Sequence, residues 1–163
     1  MNLAIISDTH LPRGRRRLPD ACLERLRSAD LVLHAGDVVG LDVLTELEAL
    51  GPPVLAVHGN VDEAALRARL PERRIVVAAG ARIGMVHDAG PARRRLARLR
   101  ASFPDVDAVV FGHSHVPLHE IGPGGLQIFN PGSPTDRRRQ PRHTMGAARV
   151  HEGRIAFELL ALD

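Results

Sequence analysis

Two short segments of this sequence place metal-ligating side chains two residues apart. Asp8 and His10 follow an apolar run at residues 3–6, and His113 and His115 follow one at 108–111. Side chains at alternate positions of an extended segment point the same way, so each pair could present two ligands to one point. Imidazole and carboxylate together suit ions of intermediate hardness, such as Mn²⁺, Fe, Zn²⁺ or Co²⁺. The two pairs therefore predict metal chemistry.

Three further apolar runs end in polar side chains of similar type. Asp37, Asn60 and His87 come just after the runs at 31–33, 54–57 and 83–86. Ligands of open α/β sheets bind beyond the carboxyl ends of the strands, so all these groups should converge. Two ions about 3.5–4 Å apart would use so many ligands and would form a clamp for phosphoryl transfer. The alternative, that each histidine merely caps a strand end or bonds within a loop, suits one histidine better than the whole set.

The order of apolar runs predicts the elements that position these groups. The five runs lack clean polar alternation, which is typical of strands covered on both faces. Helices are predicted near Pro19, over 41–50, after Asp62 as an N-cap, and from Pro91. Hairpins are predicted at 74–77 with 82–86, 116–121 with 126–129, and 145–150 with 154–162. Together these elements predict one α/β domain over residues 1–163, with helices outside two packed sheets.

Composition and the N-terminal sequence limit the classes to which this protein could belong. The chain has 163 residues, of which 44% are apolar, and one cysteine, Cys22, which is expected to pack inside a helix interface. Its N-terminus lacks signal-peptide features, and no apolar run approaches the ~20 residues that span a bilayer. We therefore expect a soluble, cytoplasmic protein without membrane contact.

All positive side-chain charge comes from arginine, in clusters at 13–17, 93–100 and 137–142. Such clusters suit phosphate-bearing partners, although the alternation of apolar residues with arginine at 93–100 is typical of a solvated helix face. A nuclease or nucleic-acid-binding protein would show affinity that falls steeply with salt. The absence of Trp and Tyr leaves few stacking platforms and argues against single-strand recognition.

The sequence resembles the calcineurin-like metallophosphoesterases over essentially its whole length. The resemblance rests on Asp8-Thr9-His10, Gly36-Asp37, Gly59-Asn60, His87 and Gly112-His113-Ser114-His115, in the family's order. Gly59-Asn60-Val61-Asp62 and Asn130-Pro131-Gly132-Ser133 make it similar to the compact single-domain phosphodiesterase branch, which also contains the retromer scaffold subunit. The resemblance implies a four-layer α/β/β/α sandwich of two mixed sheets flanked by helices.

The resemblance also implies a role for each matched residue. Asp8, His10 and His115 would hold a first ion, Asn60, His87 and His113 a second, and Asp37 would bridge, with Asp37, Asn60 and His113 counted as catalytic. The implied activity is hydrolysis of a small phosphodiester, for which a nucleotide derivative is one option, by in-line attack of a metal-bridging hydroxide. Manganese is the favoured ion, with Zn²⁺, Fe, Co²⁺ and Ni²⁺ as alternatives. The sequence leaves open whether the protein forms a homo-oligomer.

Two positions depart from the family's pattern. Many larger relatives have a histidine after the third-motif asparagine, thought to protonate the leaving group, and here that position is Val61. Activated aryl esters should then react faster than alkyl esters, unless Asp62, Asp88 or a substrate group acts as the acid. Asp88 replaces the family's usual glycine. It could orient His87, weaken phosphate binding, or face solvent.

Other polar residues carry weaker predictions. Arg137 and Arg138 are candidate substrate contacts, because in the resembling branch the loop at 130–133 lies beside the metals. Asp62 of the third motif is a further candidate contact. The cluster at 13–17 is left open in the same way. His34 and His58 are expected to support ligands or fill the core, and His119, His143 and His151 to lie on the surface.

A non-catalytic scaffold is the alternative from a different class of protein. Such a module would keep the fold and lose the metals, as the retromer subunit of the resembling branch does. A degenerate site should lack at least one ligand, whereas the set here is complete. The intact set favours an enzyme.

Overall fold

Two five-stranded sheets form the centre of the molecule in the computed structural model, which describes residues 1–12, 14 and 16–162. The strands described are β1 (Asn2–Ile6), β2 (Leu31–His34), β3 (Val54–Ala56), β4 (Arg73–Ala78), β5 (Ala81–Val86), β6 (Ala108–Val110), β7 (Leu118–Ile121), β8 (Gln127–Asn130), β9 (Thr144–His151) and β10 (Arg154–Ala161). The helices described are α1 (Asp20–Ser28), α2 (Leu41–Glu48), α3 (Ala64–Arg69) and α4 (Arg95–Ser102).

Both sheets are mixed. The first has the order β10-β9-β1-β2-β3, in which β1, β2 and β3 are parallel and β9 runs antiparallel to its two neighbours. The second has the order β4-β5-β6-β8-β7, with β5, β6 and β8 parallel and the two edge strands antiparallel. The parallel strands of each sheet all end at one edge, which gathers the loops that follow them.

The faces of the two sheets that point at each other form the central core. Ile5, Leu33, Ile83, Val110 and Phe129 are fully buried in one apolar cluster that joins the sheets. Side chains alternate across a strand, so the residues between these positions point outward. Both faces therefore need apolar residues, which explains the short continuous runs in the sequence.

The outward faces are covered by helices. On the first sheet, Ala4 and Ile6 pack against Cys22 and Leu26 of α1. Burial raises the pKa of the Cys22 thiol to about 12, which agrees with its predicted packing role. On the second sheet, Leu99 of α4 belongs to the outer apolar cluster of that sheet. The predicted sandwich of two mixed sheets flanked by helices is confirmed, as are the three hairpins.

Two helix starts differ from the prediction. Asp62 does not cap α3, which begins at Ala64 with Glu63 at the N-cap position. The helix expected from Pro91 begins only at Arg95, because Arg94 adopts a left-handed backbone conformation. The side chain of Arg98 then folds back and donates to the carbonyls of Ala89 and Pro91.

The arginines of α4 therefore divide into two kinds. Arg93 and Arg94 are exposed, as expected for a solvated face. Arg98 and Arg100 are half-buried and satisfy backbone carbonyls of the neighbouring loops, so their role is structural. In the part of the chain described, no helix has the length and apolar character needed to cross a membrane.

Candidate metal centre

Asp8, His10 and His115 form a buried group beyond the ends of β1 and β6. The Nε2 atoms of His10 and His115 lie 3.2 Å apart. Asp8 Oδ1 lies 3.3 Å from His115 Nε2 and 3.9 Å from His10 Nε2. All three side chains are at most 3% exposed. Three ligand atoms thus surround one small volume, as the sequence predicts for a first ion.

Asn60, His87 and His113 form an adjacent group beyond β3, β5 and β6. Asn60 Oδ1 lies 3.2 Å from His87 Nε2 and 3.0 Å from His113 Nδ1. Asn60 and His113 are exposed, whereas His87 is buried. This second group therefore opens to solvent on one side.

Asp37 lies between the two groups. Its Oδ2 atom is 3.3 Å from His87 Nε2 and 3.6 Å from His10 Nε2. Its Oδ1 atom accepts the N–H of Val61 at 3.1 Å, which fixes the orientation of the carboxylate. A carboxylate with one oxygen facing both groups has the position that a bridging ligand needs.

The ligand pairs do not converge for the reason given by the sequence pattern. Asp8, His10, Asp37, His113 and His115 all have positive φ values, between 47° and 68°. The pairs therefore do not lie on extended segments, and the interpretation from alternate positions is wrong. Left-handed residues turn the chain sharply after each strand, and Asp and His are among the residues that tolerate this conformation. Clustering of strained backbone is common at functional sites.

Close packing around the ligands explains two of the glycines in the motifs. A Cβ atom at Gly36 would lie 2.6 Å from His87 Nδ1, and the residue has a φ of 94°. At Gly112 a Cβ atom would lie 2.7 Å from Asp8 Oδ2 and would collide with Ser7 Oγ. Any side chain at either position would displace a ligand.

The hydrogen bonds of the histidines show that a cation fits this site. His87 Nδ1 lies 2.8 Å from Ala35 O, and His115 Nδ1 lies 2.5 Å from Asp136 O. A carbonyl oxygen only accepts, so Nδ1 carries the proton in both rings. In a neutral ring Nε2 is then an acceptor, yet it faces Asp37 Oδ2 in one case and Asp8 Oδ1 in the other. Two facing acceptors repel each other unless positive charge lies between them, so a bound cation fits this position.

Asp8 Oδ1 supports the same conclusion. It is buried and, within the described residues, accepts no hydrogen bond, while Asp8 Oδ2 accepts from Ser7 Oγ and from the His113 N–H. A buried carboxylate oxygen without a donor is costly unless it binds a cation. The donor set of imidazole, carboxylate and carboxamide oxygen suits a divalent transition ion.

The pKa shifts follow from burial and from these contacts. Burial raises the pKa of Asp8 by more than His87 and His115 lower it. Burial also raises the pKa of Asp37, but the hydrogen bond and charge of His87 outweigh it and bring the value to about 2. Burial lowers the pKa of His87, but Asp37 and Asp8 raise it above its usual value. The negative charge of Asp37 and Asp8 thus favours positive charge at this point of the site.

Asp62 joins two of the ligand loops. It is buried, and its Oδ1 and Oδ2 atoms accept the N–H groups of Val39 and Gly59 at 2.6 and 2.7 Å. These loops carry Asp37 and Asn60. Because both oxygens bind backbone groups, Asp62 is better described as a loop connector than as a substrate contact.

Asp88 does not orient His87. It is exposed, and its Oδ1 atom accepts the N–H of Gly90 at 2.7 Å, while the carbonyl of Ala35 holds the His87 ring. Of the three roles considered from the sequence, the structure favours the solvent-facing one. Asp88 also lines a cavity of about 240 Å³ beside Asn60 and His87, together with His58, Arg67 and Glu72.

His34 supports the first ligand group from behind. It is fully buried, its Nδ1 atom accepts the N–H of Gly36, and its Nε2 atom lies 3.1 Å from Thr9 Oγ1. Burial lowers its pKa to about 4. His34 is therefore a neutral histidine that holds the residue between Asp8 and His10.

The remaining predicted positions lie outside the ligand groups. Arg137 and Arg138 are exposed, and Arg137 donates to the carbonyl of Gln140. Their contact with a substrate stays a prediction. His119 and His151 are exposed as expected, whereas His143 is half-buried. In the arginine cluster at 13–17, residues 13 and 15 lie outside the described residues.

Sequence reasoning missed the role of the loop that follows β8. Ser133, Thr135 and Asp136 all bond to the segments that carry Asp8 and His115. The resemblance places the loop at 130–133 beside the metals, but the sequence prediction gives no role to Thr135 or Asp136. Only the fold shows that this turn directs the next three residues against the ligands.

Comparison with known proteins agrees with this geometry. Residues 1–153 match the family described as the calcineurin-like phosphoesterase superfamily domain. A probable metallophosphoesterase of Methanothermobacter thermautotrophicus is 36% identical over 138 residues, which cover 83% of this chain and 78% of that protein. That relative carries the name probable metallophosphoesterase.

Two solved structures share the fold. Vps29 from Entamoeba histolytica, crystallised in complex with Zn²⁺, superposes with a TM-score of 0.78 at 24% identity, over all of both chains. A novel archaeal phosphodiesterase superposes with a TM-score of 0.74 at 23% identity, over 98% of this chain and all of the other. Fold, ligand set and sequence match lead to one conclusion: the chain belongs to the calcineurin-like phosphoesterase superfamily.

Proposed function

We propose that this protein is a dinuclear metal-dependent phosphodiesterase that hydrolyses a small phosphodiester, for which a nucleotide derivative is one candidate. One observation carries the proposal. His87 and His115 each have Nδ1 fixed as a donor, so that Nε2 faces a carboxylate oxygen of its group. Two neighbouring cation positions, linked by Asp37, account for this arrangement.

The residues would divide between the ions as follows. Asp8, His10 and His115 would hold the first ion, Asn60, His87 and His113 the second, and Asp37 would contact both. Ions bound there would supply Lewis acidity and would lower the pKa of a coordinated water to near 7. Manganese is our proposed ion, with zinc as the first alternative, because both accept mixed nitrogen and oxygen ligands.

The charges of the site favour an anionic substrate. Asp8 and Asp37 are the carboxylates in the two candidate ligand groups. Two divalent ions would exceed the charge of these carboxylates by two, so a diester anion would be attracted. The second group is the accessible one, because Asn60 and His113 are exposed. A substrate would therefore approach from that side, with one ester group directed towards the cavity beside Asn60.

Hydrogen bonds from residues that are not ligands orient the ligands. Val61 donates its backbone N–H to Asp37 and so keeps Oδ2 of that carboxylate turned to both groups. Arg67 donates to the carbonyls of Asn60 and Asp62 and fixes the loop that presents the Asn60 side chain. The reacting phosphoryl group would thus meet ligands that are already oriented, which avoids reorganisation during the reaction.

The test is hydrolysis of an aryl phosphodiester and the matching monoester by metal-stripped protein, titrated with Mn²⁺, Zn²⁺, Co²⁺ and Ni²⁺. The variants are Asp37→Asn and His113→Gln, with His151→Gln as control, since that side chain is 81% exposed and lies outside the ligand groups. We expect metal-restored diester cleavage that both site variants lose and the control keeps. Equal cleavage by all variants would contradict the proposal.

A scaffold is the second candidate, favoured by the likeness to Vps29. Like the enzyme, it would keep the fold, but it would show no turnover with any ion or ester. Folded wild-type protein without turnover under any metal ion in the same assay would support it. Turnover that falls steeply with the logarithm of salt concentration on oligonucleotides would instead point to a nuclease.

A further inference from the structure

The loop after β8 is fastened to the segment that carries Asp8. Ser133 Oγ donates to the carbonyl of Asp8 at 2.8 Å and accepts the N–H of Asp136 at 2.8 Å. Thr135 Oγ1 donates to the carbonyl of Thr9 at 2.5 Å. These bonds place the backbone of Asp136 directly behind the first ligand group.

The carbonyl of Asp136 meets a ligand histidine. It lies 2.5 Å from His115 Nδ1, which must therefore donate its proton to it. The Nε2 lone pair of His115 is then directed at Asp8 Oδ1 and at the volume enclosed by the first group. Bonds of this kind fix the tautomer and the ring orientation of metal-ligating histidines.

The side chain of Asp136 is anchored from a different part of the chain. Its Oδ2 atom lies 3.1 Å from Nη2 of Arg16, and the two side chains are only 20% and 32% exposed. Arg16 belongs to the segment that follows the ligand His10. The pair therefore ties together the segments on both sides of the first group.

We propose that the Arg16–Asp136 ion pair positions the first metal ion, by holding the Asp136 carbonyl against His115 Nδ1 so that Nε2 points at the ion. The inference depends on the metal centre of the proposed function and not on its turnover. It also gives Arg16, from the sequence cluster at 13–17, a role apart from substrate contact. Arg16 is in this sense a positioning residue that acts through Asp136 and His115.

The test compares Mn²⁺ binding to metal-stripped wild type, Arg16→Gln and Asp136→Asn by titration calorimetry. We expect both variants to weaken one of two binding events about 10-fold, because loss of an outer partner typically costs 10–100-fold in affinity. The other event should be unchanged. Arg16→Lys should recover most of the loss, since an ammonium can still reach Asp136 Oδ2. Arg17→Gln is the matched control, because it removes the same charge from an exposed neighbour.

A second measurement separates positioning from a general effect on folding. Nitrogen-15 spectra of the imidazole rings in the metal-free protein should show His115 protonated at Nδ1 in wild type and in Arg17→Gln. Arg16→Gln should show a mixture of both tautomers, with the thermal midpoint of the metal-free protein nearly unchanged.

The outcomes are distinguishable from those of the activity assay. Weaker Mn²⁺ binding by Arg16→Gln in a protein without phosphodiesterase activity would support this inference while the proposed function fails. Unchanged binding and an unchanged tautomer in both variants would overturn it even if the enzyme is active. A raised KM with unchanged Mn²⁺ affinity would also overturn it, because Arg16 would then act on the substrate. Absence of metal binding by wild type would overturn both proposals.

Discussion

The two ligand groups of the metal centre differ in how they are enclosed. Asp8, His10 and His115 are buried and lie against the loop after β8, whereas Asn60 and His113 of the second group are exposed. Burial limits exchange with solvent, and exposure permits approach of a substrate. Under the proposed function, the buried group would retain its ion, and the exposed group would meet the phosphodiester.

Asp37 is the residue on which this comparison depends, because it faces both groups. Asp37→Asn keeps the size of the side chain and an oxygen for the Val61 N–H, but it removes the negative charge that the two proposed ions would share. We expect kcat/KM for an aryl phosphodiester to fall by about 10³-fold, at the upper end of effects for one electrostatic group. The measurement is initial-rate kinetics at saturating Mn²⁺, and activity within 10-fold of wild type would show that Asp37 does not link the ions.

The second prediction concerns the absence of an acid on the exposed side. Val61 cannot donate a proton, Asp62 is bound to two backbone N–H groups, and Asp88 accepts from Gly90. Alkyl diesters should therefore react slowly relative to aryl diesters, because a positioned acid typically contributes 10²–10⁴-fold. Val61→His should raise the alkyl rate by about 10²-fold and leave the aryl rate nearly unchanged. Equal rates on both esters in wild type would reveal an acid that this interpretation lacks.

The third prediction separates the groups by stepwise removal of metal. A chelator should first remove the ion of the exposed group, with loss of activity, and only later the ion of the buried group. The second step should lower the free energy of unfolding by about 3 kcal/mol for an ion present at 100 times its Kd. That corresponds to a fall of about 5–10 °C in the thermal midpoint of a chain of this size. Metal content, turnover and melting are measured on the same samples, and simultaneous loss of both ions would remove the distinction.

The positions of the ligands were predictable from the sequence, but the way they converge was not. Apolar runs that end in Asp, Asn or His predict parallel strands with polar ends. The strands that carry the ligands belong to two sheets, and the packing of the sheets brings their ends together. No periodicity reports the positive φ values at Asp8 and His113, or the close approach of Gly112 to the Asp8 side chain. Asp62 illustrates the same limit: an aspartate before a helix is a good cap candidate, yet contacts with Val39 and Gly59 from another loop decide its role.

The smallest expected effect concerns His34, which supports the buried group through Thr9. Because Gly36 N–H donates to Nδ1, Nε2 carries the proton, and a second proton on Nδ1 would oppose that bond. Burial lowers the pKa of His34 in the folded chain to about 4, against 6.5 when unfolded. Between these values the unfolded chain binds more protons, so stability falls as pH falls from about 6.5 towards 4.

Because of His34, the free energy of unfolding should be about 2 kcal/mol lower at pH 5 than at pH 7.5. His34→Asn keeps an acceptor for Gly36 N–H and removes the titration. Between pH 7.5 and pH 5, the free energy of unfolding of the metal-free variant should then fall by about 2 kcal/mol less than that of wild type. Urea unfolding measures both values. The comparison of the two chains cancels the titration of the ligand histidines, which both retain. An equal fall in the free energy of unfolding of both proteins would mean that His34 is not the source of this pH dependence.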